Sequence, residues 1–193
     1  MTLSKRLQAV ADMVTPGYVV ADIGTDHGYI PIYLTKNKIS PKAYAMDINK
    51  GPIDRATENI HMEELQDKIK AIQSNGMEKL EPGMIDIIKN SPVIGTLKEM
   101  ILSPHSDKDF VRKNMMENNW KIIDETMVKD NGKYYTIMKV VPGREQNKYS
   151  PEELIYGRCL IEKQSDVFKE FLDKEYEKYT QILDVLDCND SVI

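Results

Sequence analysis

The stretch "ADIGTDHGYIP", Ala21 to Pro31, gathers two glycines, two aspartates and a histidine just past an apolar run. Asp22, Gly24 and Gly28 form a D-x-G-x-x-x-G turn between the strand-like "YVVADIG" and the helix-like "GYIPIYLTKN". Glycine is needed where backbone must approach a ligand closely, and ligands of open α/β sheets lie outside the carboxyl ends of the strands. The dinucleotide fingerprint G-x-G-x-x-G does not fit, because position 26 is Asp rather than Gly. A pyrophosphate would also meet the carboxylates of Asp22 and Asp26 and be repelled. The same aspartate argues against a rival reading, a Rossmann enzyme using a nicotinamide cofactor.

Carboxylates at such a turn suit a ligand with cationic groups, and S-adenosylmethionine carries a sulfonium and an ammonium. Asp47 ends the next strand-like run about 20 residues further on, where a carboxylate can accept both ribose hydroxyls. Asn75, before Gly76, follows a third such run, where a side-chain oxygen can contact an adenine ring. Each alone is weak, since Asp after a strand is commonly a cap or turn former and Asn-Gly commonly a turn. Three polar residues at three successive strand ends together point to a nucleoside-type cofactor held by Asp22, Gly24, Gly28, Asp47, Asn75 and Gly76.

The elements that must position these residues follow from periodicity. Leu3, Leu7, Val10 and Val14 predict a helix over 3–14, closed by Pro16-Gly17. Strands are predicted at 18–24, 42–49, 68–73 and 99–104, with helices at 28–37, 51–62 and 107–118. Two further strands flank "KDNG" (129–132), a hairpin turn signal. Alternating strands and helices with a closing hairpin predict an α/β domain, a Rossmann-like doubly wound parallel sheet with an antiparallel edge, over 1–142.

Residues 143–193 read as a helical carboxy-terminal appendage, coiled-coil-like in its spacing. Ser150, Pro151 and Glu153 predict a capped helix start. Phe168, Leu172, Tyr176, Tyr179, Leu183 and Leu186 fall on one face of a longer helix, where Tyr176 and Tyr179 are expected to pack.

The 193 residues are 41% hydrophobic and carry a net charge of −5, so no general basic footprint argues for nucleic acid. Two cysteines, Cys159 and Cys188, make no disulfide framework and fit a reducing compartment. No apolar run approaches the ~20 residues of a membrane span. The basic amino-terminal stretch carries Asp12 amid its apolar positions and reads as a folded helix rather than a targeting segment. A cytoplasmic monomer without a metal is the expectation.

"LSKRLQAVADMV", "ADIGTDHGYIPIYL", "NKGPIDRATENI", "NGMEKL", "LSPHSDKDFVRK" and "DNGKYYTI" resemble the bacterial tRNA (adenine-N1)-methyltransferases acting at position 22. The resemblance runs from residue 2 to about 140 and more loosely into the tail. It implies S-adenosylmethionine as methyl donor, tRNA as partner and adenine N1 as acceptor. Methylation leaves the base cationic, and a nearby carboxylate stabilises that charge or takes the exocyclic proton. Asp26 is the candidate for this role, or else it caps the helix that follows. His27 orients the base or hydrogen-bonds within its loop. Pro104 and His105, in "SPHSD" (103–107), border the acceptor base, while Ser106 is placed to cap the next helix. Arg6 reaches the donor carboxylate or an RNA phosphate, or lies on the surface.

The sequence departs from that family in one interval. About 25 residues separate the third strand, ending near Gln73, from the next, starting near Glu99. A crossover alone takes about 10–12 residues or more including its helix. The family's apolar fourth strand and "AGMGG" loop are therefore expected to be missing near Asp86, leaving the donor half intact and the acceptor half incomplete. A non-catalytic relative that binds cofactor or tRNA is the alternative reading.

Overall fold

The structure is a computed structural model describing residues 2–75, 79 and 97–190, with side chains of the last helix described to residue 184. Helix α1 (Lys5–Asp12) starts at Ser4, whose hydroxyl accepts from the Leu7 N–H. Then follow β1 (Val20–Ile23), α2 (Tyr29–Lys36), β2 (Ala43–Asp47), α3 (Lys50–Met62) and β3 (Ile69–Gln73). The three strands pair in parallel, β1 with β2 and β2 with β3. In β2 the first four residues are all buried, as a strand covered on both faces requires.

The second half contains β4 (Met100–Leu102), α4 (Lys108–Glu117), β5 (Trp120–Asp130) and β6 (Lys133–Pro142). These strands form an antiparallel sheet in the order β4-β6-β5. Asn131 and Gly132 both take positive φ between β5 and β6, the tight hairpin that "KDNG" predicts. Every predicted element of this domain is found, each shifted by at most a few residues at its ends.

Among the described residues the strands make two three-stranded sheets, with no ladder between β1 and β4. The shortened interval, including Asp86 and Gly76, lies outside the described residues. Side chains join the two halves. One apolar cluster takes Val20, Ala21, Tyr44 and Met46 from the first sheet and Met100, Trp120, Ile122 and Val140 from the second.

A buried polar knot adds to it. The Glu99 carboxylate accepts from the Thr15 N–H at 2.8 Å and the Thr15 hydroxyl at 2.5 Å. The Lys139 ammonium lies 2.9 Å from Glu99 and donates to the Met13 carbonyl at 2.8 Å. A charge so enclosed is tolerable because each of these groups is partnered.

Three helices follow among the described residues: α5 (Pro151–Tyr156), α6 (Arg158–Lys163) and α7 (Asp166–Asp190). Ser150 and Glu153 form the expected capping box. Arg112 of α4, fully buried, donates to Glu125 of β5 at 2.8 Å and to the carbonyls of Leu154, Ile155 and Tyr156. It thereby satisfies carbonyls that the end of α5 leaves unpaired. Burial pushes the Glu125 carboxyl up, while the Arg112 guanidinium opposes that shift.

Gly157 breaks α5 from α6 at φ +98°, and a Cβ there would lie 2.6 Å from a Glu125 oxygen. Phe168 and Leu160 are buried with Met127 of β5, so α6 and the start of α7 lie on the second sheet. Beyond that point the packing expected of the tyrosines is not found. Tyr176 is 75% exposed, and Tyr179, Ile182 and Leu183 are exposed too, because α7 outruns the surface beneath it.

Candidate functional site

Three strand tips, one loop and one helix surround the candidate site. Parallel register sets Ile23 beside Met46 and Asp47 beside Gln73, which brings the ends of β1, β2 and β3 to one edge. Past β1 the chain turns sharply. The N–H groups of Gly24 and Thr25 both donate to the Met46 carbonyl at 2.8 Å.

Gly24 sits at φ +78°, a conformation that favours glycine, with open space where a side chain would project. Gly28, at φ +70°, also has a packing role. A Cβ on it would meet the Ala56 Cβ at 3.2 Å, so it lets the start of α2 close onto α3.

Asp22 accepts from the buried Thr25 hydroxyl at 2.6 Å. Burial pushes the Asp22 carboxyl up from the usual range, with Asp47 adding to the rise and Thr25 and Arg6 opposing it. Asp47 and Arg6 are thus electrostatic neighbours of Asp22. A carboxylate held in so poorly solvated a place gains most from an added cation. One Asp47 oxygen accepts from the Asn49 N–H at 2.7 Å, which fixes the carboxylate at the strand tip. Asn75 lies exposed two residues past β3. Ile23 and Ile48 are exposed beside the two aspartates, apolar surface suited to the flat face of a base. Sequence reasoning passed over both, since an apolar residue at a strand end looks like core.

Asp26 is 75% exposed and pairs with His27 at 3.2 Å. It does not cap α2, whose cap position is Gly28 without a side-chain bond. His27 takes φ +61°, stacks on Tyr29 at 5.1 Å and accepts at its carbonyl from Asn59. The backbone of His27 is thus tied to α3, and its ring lies between Asp26 and Tyr29.

On the other side, Pro104 is half-buried and His105 exposed in the loop after β4. His105 meets Tyr135 of β6 edge-on, with ring centroids 5.9 Å apart. Arg6 places its guanidinium over the same tyrosine at 5.3 Å, and its own N–H is held by Asp130 at 3.2 Å. Ser106 does not cap α4; Asp107 occupies that position at φ +50° with no side-chain bond to the helix. Tyr135 and Thr25 were not foreseen. In "KYYTI" the period of two sends Tyr134 against Phe171 and Tyr135 to the opposite face, a split that the pair of tyrosines already encodes.

Carboxylates at the tips of parallel strands, in a chain that also carries an antiparallel hairpin, define an α/β domain of the open-sheet class, whose ligands lie outside the carboxyl ends of the strands. The methyltransferase-domain family matches residues 3–138, and the chain belongs to that family. The tRNA (adenine(22)-N(1))-methyltransferase of Bacillus subtilis is 28% identical over 210 aligned positions, covering 95% of this chain and 88% of the relative. Those positions outnumber the residues of this chain, so the relative carries residues within the span that this chain lacks.

Among solved structures, Sp1610 of Streptococcus pneumoniae, a candidate tRNA (m1A22) methyltransferase, superposes with a TM-score of 0.88 at 27% identity. That likeness covers 94% of this chain and 88% of the other. TrmK of M. capricolum, in complex with the cofactor product S-adenosyl-homocysteine, gives a TM-score of 0.81 at 27% identity, over 95% of this chain and 88% of the other.

Proposed function

We propose that the chain is an S-adenosylmethionine-dependent tRNA methyltransferase that methylates N1 of adenine at position 22. The observation that carries this reading is the Asp22–Asp47 pair at adjacent strand tips, in a chain aligned along nearly all its length with a tRNA (adenine(22)-N(1))-methyltransferase. When bound, the cofactor supplies an electrophilic methyl group on a sulfonium. Asp22 would face its cationic end, Asp47 would accept from the ribose hydroxyls, and Gly24, Asn75 and the exposed isoleucines would surround the nucleoside. Adenine N1 needs little activation once aligned, so the work of the protein is positioning and exclusion of water. Asp26 and His27 lie in the loop beside the donor, with Pro104, His105 and Arg6 bordering the acceptor.

The test is to incubate the protein with unmodified tRNA and S-adenosylmethionine, then map 1-methyladenosine by mass spectrometry of nuclease fragments. Methylation at position 22 is the expected result. Donor binding by calorimetry without transfer would instead establish the non-catalytic relative, which the shortened interval between β3 and β4 favours.

Asp22 makes donor affinity pH-dependent. The cationic ligand binds the carboxylate form, and in the free protein burial raises the pH at which the proton leaves. Above that point affinity is flat with respect to this group. Below it, affinity falls by up to about tenfold per pH unit and binding releases a proton. Calorimetry in two buffers of different ionisation enthalpy reads the release directly, and Asp22→Asn is expected to abolish it.

Asp47→Ala is expected to weaken donor binding by about 1–3 kcal/mol, the loss of charge-assisted hydrogen bonds to the ribose. Unchanged affinity in the same calorimetry would place the ribose elsewhere.

A further inference from the structure

Tyr135 stands apart from the apolar core of the described residues. Its neighbours along β6, Thr136, Ile137 and Met138, are fully buried, whereas Tyr135 is half-buried and belongs to none of the apolar clusters among the described residues. Two groups from distant parts of the chain converge on its ring instead: Arg6 from α1 over it, and His105 from the loop after β4 edge-on. Arg6 is also close enough to Asp22 to lower its proton affinity, so this cluster adjoins the donor-side carboxylates.

We propose that Tyr135 is the surface on which the acceptor base is laid, with Arg6 and His105 holding the ring in place. This inference rests on the methyl-transfer reading and adds a residue to it. An adenine whose N1 is to be methylated must leave its stack, and a flat ring in the protein replaces the lost stacking. Base–aromatic stacking contributes about 1–3 kcal/mol per base. The electron-rich face of a phenol also favours the positive charge that the methylated base acquires. Arg6 is anchored by its backbone to Asp130 of the same hairpin, so α1 and β6 present one pre-formed wall. The chain thus brings its amino-terminal helix and its hairpin together beside the strand tips, where an acceptor pocket needs a wall.

The experiment compares wild type with Tyr135→Ala and Tyr135→Phe at saturating S-adenosylmethionine. Tyr135→Ala is expected to lower kcat/KM for tRNA by about 5- to 150-fold, the equivalent of one lost stack. Tyr135→Phe is expected to stay within about threefold, and donor affinity by calorimetry to be unchanged in both, which also reports that the variants fold. Equal turnover of the alanine variant, or an equal loss in both variants, overturns the proposal.

A second measurement does not need turnover. Unmodified tRNA carrying 8-azidoadenine at position 22 is photolysed on the wild-type protein, and the adduct is mapped by mass spectrometry. Labelling of the peptide containing Tyr135 is expected; labelling confined to other elements overturns the assignment. A wild type that labels there but transfers no methyl group refutes the activity while leaving the base-binding surface standing.

Discussion

Replacing Arg112 by alanine is expected to destabilise the protein by about 3–5 kcal/mol, the scale for breaking a buried ion pair by removing one partner. The reason is what remains behind. Glu125 is fully buried, and Arg112 is the cation that faces it at 2.8 Å. Without it the carboxylate either stays charged in a poor solvent or takes up a proton, and burial already pushes it in that direction. The carbonyls of Leu154, Ile155 and Tyr156 lose their donor in the same change. Denaturant unfolding measures the loss. Arg112→Met together with Glu125→Leu is expected to recover much of it, because removing both charges leaves neither stranded. If the double variant is no better than the single one, the cost comes from the α5 carbonyls rather than from the charge.

Asp26→Asn is the second large effect and concerns turnover rather than stability. The amide keeps the shape and one acceptor oxygen of the carboxylate but removes its charge. Because Asp26 makes no bond to the start of α2, the substitution leaves that helix unaltered. Methylation at N1 turns a neutral base into a cation, and removing a group aimed at such developing charge costs on the order of 10²–10³ in kcat. A fall of about that size, with donor affinity unchanged, is the expected outcome in single-turnover assays. A variant that turns over at the wild-type rate would remove Asp26 from the chemistry and leave its pairing with His27 as its contribution.

The legible part of this protein is the part whose causes are local. A β-branched run stopped by glycine reads as β1 and its turn; Asp-Asn-Gly between apolar runs reads as a hairpin; Ser150 and Glu153 read as a capped helix. The hidden part has causes far away in sequence. Nothing near Gly157 shows that the helix must break there, because the obstacle is Glu125 on another strand. Gly28 reads as a ligand contact, and nothing near it in sequence shows that Ala56 also lies against it. The stripe of α7 shows that one face is apolar but not that a surface reaches far enough to cover Tyr176. Tyr135 was passed over for the opposite reason, since a tyrosine in a strand beside another tyrosine is ordinary until Arg6 and His105 are found on it.

The side-chain packing between the two described sheets has a mechanical consequence. In an unbroken sheet, backbone hydrogen bonds fix the spacing between donor tips and hairpin as rigidly as rungs fix the rails of a ladder. Among the described residues that spacing is set by interleaved core side chains and by the Glu99–Thr15–Lys139 knot. Interdigitated methyl and methylene groups resist compression but yield to sliding more readily than paired strands do. On the proposed reading, the reach from methyl donor to acceptor wall is therefore a tunable dimension of this protein, adjustable by the volume of core residues such as Met100.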